Sequence, residues 1–284
     1  MRHILANACA FAAMAVAAMA VSVPAFAADE PAPAFKISGT GAVLTDYRLR
    51  GVSQSDKGFV AQVSATVTHE TGLYGGFFSS SLAGWGTFGG PNIEFDLIGG
   101  YKVAVGSGAI DMGLTWYMYP GGSKKTDYAE PFFKLSGTAG PVSMLAGVAY
   151  APKQQALGNW YFTGADYVKG VPNRPFAKDD NIYLWGDFAT GIPKTALTVK
   201  AHIGYSDGNP GLGPNGTSVA PTGKYWDWLI GADYVIGPVT LGVAYVDTDI
   251  SVRDGLYLQP NFSSTKDGSS IAGSKVLFSI TGAF

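Results

Sequence analysis

The sequence has 284 residues, a formal net charge of −2 and 14 % charged residues, whereas ordinary soluble domains carry about 25 %. This near-neutral charge gives no reason to expect a nucleic-acid partner. The single cysteine, Cys9, lies in a segment that we expect to be removed. The mature chain is therefore predicted to lack disulfides, cysteine metal ligands and thiol catalysis.

The first residues have the features of an export signal. A short basic start, Met1-Arg2-His3, is followed by an apolar run from 4 to 23 and by the small-residue site Ala25-Phe26-Ala27. This pattern predicts a cleaved signal peptide over residues 1–27 and a mature domain over 28–284. A membrane anchor is the alternative, because the apolar run is long enough to span a bilayer.

The mature chain alternates apolar and polar residues, starting at residue 35. In 35–50, apolar Phe35 and Ile37 alternate with polar Lys36 and Ser38, as in a strand with one apolar face. Such segments have about the 10 residues that a tilted strand needs to cross a bilayer. The predicted strands are 35–50, 59–70, 73–82, 92–104, 109–119, 128–139, 142–150, 181–190, 195–206, 225–236, 239–247 and 272–284.

The connections between these strands alternate strictly between long loops and short glycine-containing turns. An up-and-down barrel of the bacterial outer membrane has this asymmetry, with short periplasmic turns and long external loops. A soluble β-sandwich would share the alternation but has no reason to sort its loops by length. The fold class predicted is an all-β, antiparallel, transmembrane barrel of twelve strands. Residues 159–168 have strand-like composition and are assigned to a loop, with a β extension above the membrane or a fourteen-strand barrel as alternatives.

Three stretches resemble a known family. They are TDYRLRGVSQSD (45–56), HETGLYGGFFSS (69–80) and NIEFDLIGGY (92–101). Together with YMYPGG (117–122), YWDWLIGADY (225–234) and the terminal Phe284, they are similar to the TorF family of bacterial porins. The resemblance is dense over 45–101 and weak through 151–180. It implies an outer-membrane barrel with channel activity and no defined substrate.

Charged residues at lumen-facing positions are the candidate site. Asp46, Arg48 and Arg50 share one face near the outer end of the first predicted strand, where they could filter ions or form a salt-bridge ladder with Glu94 and Asp96. All lumen-facing positions together give six basic and nine acidic side chains, which predicts weak cation preference. The pore-lining candidates are Lys36, Asp46, Arg48, Arg50, Glu94, Asp96, Lys102, Asp111, Glu130, Lys134, Lys200, Asp227 and Asp233.

The histidines left after export argue against an enzyme. The alternation of faces along a strand places His69 on the lipid face of predicted strand two and His202 on the lumen face of predicted strand nine. No G-x-S-x-G elbow is present, and a nucleophile needs a base within hydrogen-bond reach. No catalytic residue, cofactor or metal site is predicted.

The last predicted strand alternates up to Phe284, with Phe278 and Ile280 on the lipid face. A terminal aromatic after such a strand resembles the signal that the bacterial barrel-assembly machinery recognises, so Phe284 and Phe278 are the predicted assembly signal. The expected partners are this machinery, outer-membrane lipid and lipopolysaccharide, and small solutes.

The function predicted is an outer-membrane, porin-like channel for passive diffusion of small hydrophilic solutes. The alternative is a plugged, non-conducting barrel with a structural or adhesion role, because open aqueous channels are more typical of 16–18 strands.

Overall fold

A computed structural model of the protein describes residues 34–83, 90–122 and 125–284. The predicted signal peptide lies outside these residues. None of the helices in the described ranges is long and apolar enough to cross a membrane.

The strands are β1 (Phe35–Leu44), β2 (Arg48–Leu49), β3 (Val52–Ser53), β4 (Val60–His69), β5 (Leu73–Ser81), β6 (Ile93–Val105), β7 (Gly108–Met118), β8 (Tyr128–Ala139), β9 (Val142–Gln154), β10 (Asp179–Gly191), β11 (Leu197–Pro210), β12 (Thr222–Ile236), β13 (Val239–Thr248) and β14 (Lys275–Ala283). Two short helices, α1 (Gly164–Lys169) and α2 (Val252–Gly255), and the 3-10 turns Gln155–Leu157 and Leu256–Leu258 lie in the loops.

Twelve of these strands, β1 and β4 to β14, form a closed antiparallel barrel in which each strand pairs with its neighbours along the chain. The last strand closes on the first, with Thr40–Leu44 of β1 paired to Ala283–Ser279 of β14. Closure matters because an unpaired backbone group in hydrocarbon costs several kcal/mol. The prediction of twelve strands is confirmed, and the fourteen-strand alternative is wrong.

The outer face of the barrel is apolar. Ile230 and Phe278 are 66 % and 58 % exposed, whereas their neighbours Leu229 and Ser279 are buried. Successive side chains of a strand point to opposite faces, so the exposed apolar residues form a continuous outer surface. A closed barrel with such a surface is a transmembrane barrel.

The two ends of the barrel differ as predicted. Both ends of the described chain and the short turns lie at one end, which corresponds to the periplasmic end of outer-membrane barrels. These turns are at 70–72, 106–107, 140–141, 192–196 and 237–238, and the long connections at the outer end are 45–59, 82–92, 119–127, 155–178, 211–221 and 249–274.

The prediction for the first strand is wrong at its outer end. β1 ends at Leu44 instead of residue 50, and residues 45–58 fold into the lumen as the inner hairpin, which contains β2 and β3. Arg50 and Gly51 connect these strands with φ of 50° and 79°. Two successive positive φ angles define a type I′ turn, whose twist suits a tight hairpin.

Residues 159–168 lie in a loop, as predicted, but form no β extension. The Thr163 hydroxyl accepts a hydrogen bond from the Asp166 N–H at the start of α1, and Gly170 ends the helix with φ of 69°. Both are common helix-capping features. Tyr161 makes one isolated β-bridge to Leu212.

Three of the outer loops, 155–178, 211–221 and 249–274, meet in an apolar cluster, here called the outer cap. Its buried members include Tyr161, Leu212, Leu258 and Phe262, and Val52 of the inner hairpin packs against them. The hairpin is therefore held between the outer cap and the lumen.

Candidate functional site

Most of the charged residues that were predicted to face the lumen do lie there. Glu94, Asp96, Asp111, Glu130, Lys134, Asp227 and Asp233 are buried side chains of the barrel strands. Lys102 and Lys200 are partly exposed, and Lys36 is exposed near the periplasmic end. Their role in a pore stays a prediction.

Asp46 and Arg48 stabilise the inner hairpin from within. Arg48 Nε donates to Asp46 Oδ2 over 2.7 Å, and Arg48 Nη1 donates to the Gly273 carbonyl over 3.0 Å. The Ser53 hydroxyl donates to the other Asp46 oxygen over 2.5 Å. These side chains therefore lie on a hairpin inside the barrel, which corrects their predicted place on the barrel wall.

Arg50 connects the inner hairpin to the far side of the barrel. Its guanidinium donates to Glu130 Oε1 on β8 and to Asn181 Oδ1 on β10, both over 2.6 Å. The same group lies 4.2 Å from the centre of the Tyr183 ring, a cation–π distance. The hairpin is thus fixed to two strands that are remote from β1.

The predicted salt bridges of Arg48 and Arg50 with Glu94 and Asp96 are wrong, because both arginines have other partners. Arg48 pairs with Asp46 and Arg50 with Glu130. Because the chain turns inward after Leu44, the hairpin brings a tyrosine to β6, and the Tyr47 hydroxyl donates to Glu94 Oε1 over 2.7 Å.

A histidine bridges three strands at mid-height. His202 Nδ1 on β11 lies 2.6 Å from Asp187 Oδ1 on β10, and its Nε2 lies 3.2 Å from Asp227 Oδ1 on β12. The Tyr183 hydroxyl lies 2.9 Å from the same Nε2. His69 is far away at the periplasmic end, with Nδ1 2.8 Å from the Thr71 hydroxyl, so the two histidines are separated as predicted.

Two lysines complete the charge pairing toward the periplasmic end. Lys200 Nζ donates to both Asp233 oxygens over 2.8 Å, and Lys134 Nζ lies 3.2 Å from Asp111 Oδ2. The Tyr74 hydroxyl donates to the other Asp111 oxygen over 2.7 Å. Removing one partner of such a buried pair is strongly destabilising, because it leaves an uncompensated charge.

The outer end of the inner hairpin is attached to the loop 249–274. Asp56 accepts hydrogen bonds from the Thr265 N–H and hydroxyl, over 3.1 and 2.5 Å, and Lys266 Nζ donates to the Asp56 carbonyl over 2.8 Å. Burial opposes the ionised form of Asp56, but hydrogen bonds from Thr265 and Ser264 and the charge of Lys266 outweigh it and lower the pKa of this carboxyl.

A cavity of about 100 Å³ lies below the inner hairpin. Leu44, Leu229 and Leu277 line one part of it, and Lys200 and His202 line another. Sequence reasoning missed the apolar part. The signal was available, since Leu229 and Leu277 occupy lumen-facing parity in the predicted strands.

Within the described residues, no group of three or more histidine, cysteine, aspartate or glutamate side chains could hold a metal ion.

The sequence profile of one family, described as bacterial proteins of unknown function (Gcw_chp), matches residues 28–284. The chain belongs to the Gcw_chp family. No curated protein matches this Gcw_chp chain. The match does not carry the TorF name, so the resemblance to that family stays a prediction.

Solved structures resemble the Gcw_chp chain weakly. A porin refined at 1.8 Å resolution is 10 % identical with a TM-score of 0.41, and the alignment covers 88 % of this chain and 100 % of the porin. The outer-membrane protein opdK from Pseudomonas aeruginosa is 11 % identical with a TM-score of 0.41, over 90 % of this chain and 68 % of opdK. Similarity at this level does not extend to function.

Proposed function

We propose that the protein is a porin-like channel of a bacterial outer membrane whose lumen is narrowed by the inner hairpin, so that only small solutes diffuse through it. The observation that carries this proposal is the pairing of Leu44 with Val60. β1 and β4 already meet there, so a short turn could join them. The longer connection 45–59 instead occupies the lumen, where it restricts passage without being needed to close the wall.

A weak preference for cations is part of the proposal. The lumen-facing positions of the predicted strands carry nine acidic and six basic side chains. An excess of acidic side chains inside a pore favours cations.

A plugged barrel with a structural role is the second candidate. It is favoured by the hydrogen bonds of Arg50 to Glu130 and Asn181, which hold the hairpin across the lumen. The outer cap, which packs on Val52, favours it too.

The test is conductance in planar bilayers of the wild type and of a variant in which a short glycine–serine linker replaces residues 46–58. We expect small conductance steps from the wild type and larger steps from the variant, because the linker leaves the Leu44–Val60 pairing in place. The same linker replacing the periplasmic turn 192–196 is the matched control and should leave the wild-type conductance unchanged.

Absence of steps from the folded wild type would overturn the channel and favour the plugged barrel, and steps that appear only in the hairpin variant would identify the hairpin as the plug. In a salt gradient, the reversal potential should lie on the cation side, and a value on the anion side contradicts the predicted preference.

A further inference from the structure

The lumen of this barrel contains more apolar surface than a channel for ions and hydrophilic solutes requires. The interior of bacterial outer-membrane barrels is polar, yet Leu44, Phe132, Trp185, Leu229 and Leu277 are all buried on the inner face of this one. They come from five different strands and meet at mid-height around the cavity described above.

The inner hairpin bounds this cavity on one side. Leu49 and Arg50 of the hairpin line it, and Arg50 is fixed there by Glu130 and Asn181. The volume is about 100 Å³, whereas an apolar cavity of about 150 Å³ accommodates benzene. The space therefore suits a molecule with a few carbon atoms.

The charged side chains at the cavity are paired, with carboxylates in excess. Lys200 is paired with Asp233 and Arg50 with Glu130, whereas His202 lies between the two carboxylates of Asp187 and Asp227. An anion is therefore disfavoured, and a cation would have to compete with Lys200 and Arg50 for their carboxylates. Both nitrogens of His202 already have partners, but Asp187 Oδ2 is buried without a hydrogen-bond partner, and Asp187 lines the cavity. A hydroxyl group could therefore donate to Asp187 Oδ2 and accept from Lys200, which also lines the cavity.

We propose that the cavity binds a small neutral amphiphile, with a short apolar body against Leu44, Leu229 and Leu277 and one hydroxyl group toward Asp187 and Lys200. This inference deepens the proposed function, on which it rests for the use of the same lumen, by naming a class of solute. Shape and apolar contact select the body, and the excess of carboxylates disfavours anions.

The experiment is fluorine NMR on the full, folded protein in detergent micelles, with trifluoroethanol as the probe. Sodium trifluoroacetate, which has the same fluorinated group and a negative charge, is the matched ligand control. We expect a saturable bound signal for trifluoroethanol and none for trifluoroacetate.

Two variants locate the signal. Leu277→Trp fills the cavity and should abolish the bound signal, whereas Val276→Trp places the same side chain on the lipid face of β14 and should retain the signal. If Leu277→Trp does not fold, Ala149→Phe narrows the cavity from β9 and should give the same loss.

A bound signal that survives both cavity variants, saturable binding of trifluoroacetate, or no saturable signal in the wild type would each overturn the proposal. These results do not depend on conductance: a barrel that conducts but does not bind the probe refutes this inference alone.

Discussion

At the scale of single residues, Arg50 determines where the inner hairpin lies. Its φ of 50° is uncommon outside glycine, and such a conformation costs of order 1–3 kcal/mol. The ion pair with Glu130 and the hydrogen bond to Asn181 offset this cost.

We predict that Arg50→Ala destabilises the folded protein by about 3–5 kcal/mol, because it leaves the buried Glu130 without its cation. The measurement is urea unfolding in detergent micelles. Arg253→Ala, the same change at an exposed arginine of α2, is the control and should stay within about 0.5 kcal/mol of the wild type. Equal losses in the two variants would show that the Glu130 ion pair adds no stability.

Asp56 should make the attachment of the hairpin to the loop 249–274 sensitive to acid. Its pKa is lowered in the folded protein, so its contribution is fully present above the ordinary aspartate value of 3.8 and is lost as the pH falls through the lowered pKa. We expect Asp56→Asn to lower the urea midpoint at neutral pH, and the difference from the wild type to shrink below about pH 4. A difference that stays constant with pH would contradict this linkage.

At the scale of elements, the contact between β1 and β14 closes the barrel. Phe284 and Gly39 exchange backbone hydrogen bonds of 3.0 and 3.1 Å, and a side chain at Gly39 would collide with the Phe284 ring. Glycine at this position lets the aromatic ring lie on β1. The last residue of the sequence therefore takes part in the closing contact.

We predict that deletion of Phe284 impairs assembly into the membrane while export proceeds. The physical reasons are the loss of the backbone pair with Gly39 and of the terminal aromatic. The measurement is the folded fraction in the membrane, read from heat-dependent gel mobility, beside the total exported protein. Phe284→Tyr should assemble because it keeps both features, and Phe133→Leu, a change on the lipid face of β8, serves as the control. Normal assembly of the truncated chain would refute the assembly signal.

The strands could be predicted from the sequence because alternation and glycine turns are local signals. The end of β1 could not, because alternation continues unbroken through Asp46, Arg48 and Arg50. Nothing local marks the inward turn at Thr45. What fixes it is contact with Glu130 and Asn181, far away in the sequence.

At the scale of the whole molecule, the barrel wall and the interior of the lumen are built differently. The wall is a regular barrel with an apolar exterior, whereas the lumen is filled by paired charges, tyrosines and an apolar cavity. The alternation of faces along the strands correctly predicted that Glu94, Lys134 and Asp233 lie inside the barrel. It could not predict which charges pair, because partners such as Lys200 and Asp233 lie on different strands. The lumen-facing leucines show that a position on the inner face of a strand does not have to be occupied by a polar residue.

The long-range contacts of the inner hairpin have a consequence for the order of assembly. Arg50 is separated from Glu130 by 80 positions and from Asn181 by 131, and Arg48 is separated from Gly273 by 225. Contacts this remote bear the largest loop-closure cost until the intervening strands are in place. We expect the hairpin to dock only after β14 has met β1, so the nascent barrel is a hollow cylinder that acquires its interior last.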